Sequence, residues 1–80
     1  MDGKQLRVIR DLSGLTAAQM AKRLGVGVAT IHRYERGDYP IPPAFARKVV
    51  RTFGISEETA AKIRWIAAEM DEVKAVINKQ

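Results

Sequence analysis

The chain is predicted to be all-α, with five helices and an extended last one. Three observations lead there. Apolar residues recur at the i, i+3, i+4, i+7 spacing of one helical face, as in Ala17, Met20, Ala21 and Leu24. Glycines at 14, 25, 37 and 54 fall just after such sets, where a helix end favours the left-handed conformation. The stretch Gly37-Asp38-Tyr39-Pro40-Ile41-Pro42 is too rich in proline to be helical and separates two of them.

The first helix is expected from about Gly3 to Ser13, opened by Asp2 and Gln5 at the spacing of a capping box, with Leu6, Ile9 and Leu12 facing inward. The second starts after Thr16, a good N-cap, and ends at Leu24. The third runs from about Val28 to Arg36 and buries Val28, Ile31 and Tyr34, with Arg and His on the other side. Pro43 suits the first turn of the fourth, which runs to Phe53 and buries Phe45, Ala46, Val49, Val50 and Phe53.

Ser56 caps the fifth, and Glu57 and Glu58 favour the positive end of its dipole. This helix reaches about Asn78. Ile63, Ile66, Met70, Val73 and Ile77 repeat along it in a short heptad pattern, flanked by Glu69 and Lys74 where opposite charges can pair between two chains. Ala61, Trp65 and Ala68 make a second apolar face on its first half. One face is expected on the first and fourth helices and the other on a second subunit. The alternative, in which the stripe simply closes the monomer core, stays open.

Within this frame the segment LTAAQMAKRLGVGVATIHRYERG carries the most information. Ala21 is small enough for two helices to approach, Gly25 makes the turn, and Ile31 fills the wedge between them. That is the steric logic of a helix-turn-helix, whose second helix enters the DNA major groove.

Composition is consistent with this. Eighty residues make one domain with a small core, for which dimerisation is a natural support. No cysteine is present, so disulfides and thiolate metal sites are excluded. The polar start and the lack of a long apolar run predict a cytoplasmic protein without a membrane partner. Residues 1–54 carry a net +6 and residues 55–80 a net −1, so the positive charge coincides with the helix-turn-helix portion. Catalysis is not expected: His32 is the lone histidine, no glycine-rich phosphate loop exists, and Glu57-Glu58 and Asp71-Glu72 splay apart on their helices. No cofactor and no metal are predicted.

From Leu6 to Ser56 the chain resembles the lambda-repressor-like (Cro/CI-type, XRE) helix-turn-helix family, over roughly two thirds of its length. The resemblance lies in LRVIRDLSGLT, AAQMAKRLGV and ATIHRYERG, a Pro-containing loop, and a helix ending in FGIS. It implies a lambda-repressor-like fold with a DNA-binding core over 1–56 and a C-terminal helix, 57–80, that completes the core and mediates dimerisation. It implies double-stranded DNA as partner, with Val28, Ala29, His32 and Arg33 nearest the base edges. Arg33 is the one able to grip a guanine with two hydrogen bonds; Val28 and Ala29 can read only shape and thymine methyls. His32 is equally well read as a solvated side chain beside DNA.

Phosphate contacts are expected from Thr16 and the N–H groups of Ala17 and Ala18 at a helix start, and from Arg36 and Tyr39 after the third helix. Arg10 and Glu35 match a pair that forms a structural salt bridge in the family. The chain departs from the family at Ala17, where many members have glutamine, and at Gly27, where many have Ser or Thr. The loop after the third helix offers Asp38, Tyr39 and Pro40 in place of Lys or Arg. The implied function is a small repressor that binds a palindromic operator as a homodimer, in a phage, mobile-element or antitoxin setting. An assembly module that binds another protein through the last helix is the alternative.

Overall fold

The computed structural model describes residues 1–79 and contains five helices: α1 (Gly3–Leu12), α2 (Ala17–Leu24), α3 (Val28–Arg36), α4 (Pro43–Phe53) and α5 (Glu57–Asn78). Among the described residues there is no strand, and no helix is long and apolar enough to cross a membrane. The all-α, five-helix, lambda-repressor-like fold is thus the one the sequence predicts.

Local chemistry sets most boundaries. The Asp2 carboxylate accepts the Gln5 N–H at 2.9 Å while Gln5 Oε1 accepts the Asp2 N–H at 3.1 Å, closing a capping box at the start of α1. Thr16 and Gln19 do the same for α2. The Ser56 hydroxyl accepts the Thr59 N–H at 3.1 Å and opens α5. Gly27 provides no side-chain cap, so α3 starts without one.

The core gathers three residues each from α1 and α2, one each from α3 and α4, and two from α5. Leu6, Met20, Leu24, Ile31 and Val49 are fully buried, joined by Val8, Ile9, Ala21, Ile63 and Ala67. Helix α2 packs on α3 and α4, while α1 packs on α3 and α5. Removing any one of the large aliphatics to alanine would cost about 2–5 kcal/mol, a sizeable part of the stability of a domain this small.

Several positions differ from expectation. Helix α1 ends at Leu12 and Ser13 is its C-cap. Leu12 is 69% exposed, because it lies one turn past Val8 in the last turn, where no other element covers it. Val28 is exposed as the first residue of α3; the wedge is filled one turn later by Ile31. Val50 is also partly exposed, at an open notch of about 260 Å³ between α1, α4 and α5 that Ile9, Ile55 and Ile63 also line.

Helix α5 differs most. Its inward face is Ala60, Ile63 and Ala67, with Ile66 half-buried at the edge. That face meets α1, and Lys4 reaches Asp71 across the same contact. Ala61, Trp65 and Ala68, expected as a second packed face, are exposed. Beyond Asp71 the helix leaves the body of the domain; Met70, Val73, Val76 and Ile77 are all exposed.

Candidate nucleic-acid interface

The turn between α2 and α3 is three residues long, Gly25-Val26-Gly27. Gly25 has φ 69° and ψ 32°, a left-handed conformation that costs a side-chain-bearing residue about 1–2 kcal/mol. It turns the chain so that the Val26 N–H donates to the Ala21 carbonyl at 3.0 Å, and Val26 packs its side chain on the core.

Helix α3 divides its side chains cleanly. Ile31 is buried against the other helices, and the Tyr34 ring meets Phe45 at 4.8 Å between centroids. On the opposite side Val28, Ala29, His32, Arg33 and Arg36 are all exposed, at spacings that put them along one face of a helix. The residues expected near bases therefore share a single, unobstructed surface.

That surface is braced from behind. Arg10 donates from Nε to Glu35 Oε2 at 2.7 Å and from Nη2 to Glu35 Oε1 at 3.0 Å, a bidentate pair. Its Nη1 donates to the Leu15 carbonyl at 3.2 Å, one residue before the cap of α2. One guanidinium thus ties α1, the start of α2 and the end of α3 together. The hydrogen bond to Glu35 is the main reason the Arg10 pKa lies above the ordinary arginine value.

A second brace escaped the sequence reading. Gly3, in the first turn of α1, lies directly on the backbone of α3; a Cβ there would run into the carbonyl oxygens of Tyr34 and Glu35. The available signal was a glycine at the first helical position, directly after the Asp2 cap, where no left-handed turn calls for one.

At the start of α2 the N–H groups of Ala17 and Ala18 have no acceptor within the helix, since the first turn lacks preceding carbonyls. The Thr16 hydroxyl accepts from Gln19 N–H at 3.1 Å and keeps its own proton for donation. After α3, Arg36 Nε donates to Asp38 at 3.1 Å, so its charge is partly compensated in place. The Tyr39 ring lies against the Arg33 guanidinium, 5.8 Å from Cζ to the ring centroid. Arg23 is similarly placed over Phe53 at 5.9 Å, which draws it toward α4. Among the described residues no three His, Cys, Asp or Glu side chains come together in a way that would hold a metal.

The comparisons with known proteins agree with this architecture. A family model described as a helix-turn-helix domain matches residues 3–63, from the first turn of α1 into α5. The chain belongs to the helix-turn-helix domain family, of the XRE-like kind its motifs resemble. A protein of Pyrobaculum aerophilum named "Putative HTH-type transcriptional regulatory protein" is 39% identical over 64 residues, covering 80% of this chain and 25% of the relative. A protein of the same name from Pyrococcus abyssi is 30% identical over 73 residues, covering 91% of this chain and 22% of the relative. The chain therefore spans about a quarter of the length of these curated relatives. No solved structure matches.

Proposed function

We propose that this domain binds double-stranded DNA as the reading head of a transcriptional regulator, with α3 in the major groove. The observation that carries the reading is the continuous exposed face of Val28, Ala29, His32, Arg33 and Arg36, held by Arg10–Glu35 behind it. The names of the relatives support regulation as the purpose. Arg33 reads a guanine through two hydrogen bonds, a contact worth ~1–3 kcal/mol against the wrong base. Thr16 and the N–H groups of Ala17 and Ala18 hold one phosphate, and Arg36 another. The net +6 over residues 1–54 provides the general attraction to the backbone.

The finer reading is a cytoplasmic repressor acting as a homodimer on a palindromic operator, with half-sites about one helical turn apart. Helix α5 supports the dimer. Met70, Val73 and Ile77 continue the stripe begun by Ile63 and Ile66, and an apolar groove of about 390 Å³ runs beside them. Glu69 and Lys74 flank that stripe five residues apart, so in a parallel pairing each Glu69 meets Lys74 of the second copy. Blocking RNA polymerase needs less of a small domain than recruiting it does, which favours repression. A second reading, an assembly module that binds another protein through α5, draws on the same surface and on Trp65, which is 66% exposed.

Selection from a random duplex pool at near-physiological salt tests the proposal, run on the wild-type chain and on Arg33→Ala. A two-fold-symmetric motif with a guanine in each half-site, lost in the variant, supports a dimeric regulator. Salt-sensitive binding with no enriched motif favours the assembly module.

A further inference from the structure

The loop after α3 departs from a plain phosphate clamp. Gly37, at φ 77°, turns the backbone so that the Asp38 N–H donates to the Arg33 carbonyl at 3.0 Å. The chain therefore folds back on the residue whose side chain faces outward for base reading. Asp38 holds Arg36 through its carboxylate, and the next residue, Tyr39, meets the Arg33 guanidinium with its ring. Pro40 follows and disfavours helical backbone at Tyr39, which narrows the directions its Cα–Cβ bond can take.

We infer that Tyr39 is a positioning residue for Arg33: the guanidinium sits over its ring, and that contact holds the donor groups toward the groove. This rests on the reading of Arg33 as a base contact. The two interactions are compatible: the guanidinium carbon sits over the ring at 5.8 Å, and a guanine takes hydrogen bonds from the N–H donors of the group. An arginine on an open helix face otherwise loses much rotamer freedom when it docks; a ring beside it removes part of that cost beforehand. Both partners are exposed in the free domain, so the effect is modest, about two- to fivefold in discrimination per half-site. Tyr39 thereby acts on which base is preferred, and it does so through its ring.

The test is a double-mutant cycle read by fluorescence anisotropy. The probes are the duplex enriched from the random pool and the same duplex with the guanine facing Arg33 replaced in each half-site. Tyr39→Phe keeps the ring and is expected to preserve the affinity ratio between them. Tyr39→Leu is expected to lower that ratio about two- to fivefold per half-site, and to do nothing further once Arg33 is Ala. Without DNA, the Arg33 side-chain protons are expected to carry a ring-current shift that survives Tyr39→Phe and vanishes in Tyr39→Leu. A ratio lowered by Tyr39→Phe as much as by Tyr39→Leu would overturn the inference, since the ring would then not be what acts on Arg33. A Tyr39→Leu ratio equal to wild type, with Arg33→Ala still losing discrimination, would overturn it too. A ratio unchanged by Arg33→Ala, with the ring-current shift intact, would instead remove the base-reading role of Arg33 on which it rests.

Discussion

Arg10 of α1 and Glu35 of α3 face each other as a bidentate pair, with side chains only 17% and 8% exposed. Their hydrogen bonds at 2.7 and 3.0 Å, and the third from Arg10 to Leu15, tie α3 to α1 and to the start of α2. Removing the guanidinium strands a nearly buried carboxylate. Arg10→Ala is therefore expected to destabilise the domain by about 2–3 kcal/mol, read as a shift of the urea midpoint. Arg10→Lys should recover only part of this, because an ammonium cannot span both oxygens of Glu35 and Leu15 together. Equal stability of the wild type and Arg10→Ala would show the pair to be incidental.

Gly3 and Gly27 make opposite predictions from the same kind of change. Gly3→Ala would gain helix propensity worth roughly 0.5–1 kcal/mol, yet its methyl meets the Tyr34 and Glu35 carbonyls, so α1 must shift off α3. The net is expected to be a loss of about 1–3 kcal/mol in urea unfolding. Gly27→Ser meets nothing and supplies the missing cap of α3, so a gain of a few tenths of a kcal/mol is expected.

Lys4 provides a pH-dependent tie between α1 and α5. Its side-chain hydrogen bond to Asp71 comes first, and the charge of Asp71 second, in raising its pKa above the ordinary lysine value of 10.5. A raised cation pKa means the contact contributes fully below 10.5 and is lost only as pH climbs through the higher folded value. NMR titration of the lysine side chains should show Lys4 with a midpoint above 10.5, and Asp71→Asn should bring it down. A Lys4 midpoint unmoved by Asp71→Asn would show that the ion pair does not persist in solution.

The heptad reading of α5 predicts self-association through its exposed half. Glu69→Lys or Lys74→Glu alone should weaken the dimer in sedimentation equilibrium, since each places like charges at both pairing positions. The double exchange should restore it. If both single variants match the wild type, the stripe does not pair in this register.

Legibility followed the range of the interactions. Helix starts at Asp2, Thr16 and Ser56 and the stops at Gly25, Gly37 and Gly54 were readable because each is decided within four residues. The motif residues of α2 and α3 were readable because a tight turn imposes size limits on Ala21, Gly25 and Ile31. The phase of α5 was not. With Ala60, Ala61, Ala67 and Ala68 beside Ile63, Trp65 and Ile66, its first half is apolar nearly all round, and only the approach of α1 selects Ile63 and Ala67. A contact between distant segments, such as Gly3 on the end of α3, leaves little trace in a single sequence, and so does the Tyr39 ring beside Arg33, which depends on how the loop after Gly37 turns. Leu12 illustrates the reverse case: the correct spacing for an inward residue, in a turn that no neighbour reaches.

The central claim is that the outward face of α3 and the start of α2 form one DNA-binding surface. The most direct measurement is an amide and side-chain NMR titration of the domain with its enriched duplex. The account predicts the largest shifts at Ala17, Ala18, Val28, Ala29, His32 and Arg33, with the Arg33 guanidinium protons appearing as sharp, hydrogen-bonded signals. Shifts confined to Trp65, Met70, Val73 and Ile77, with α3 unmoved, would contradict it and transfer the function to the last helix.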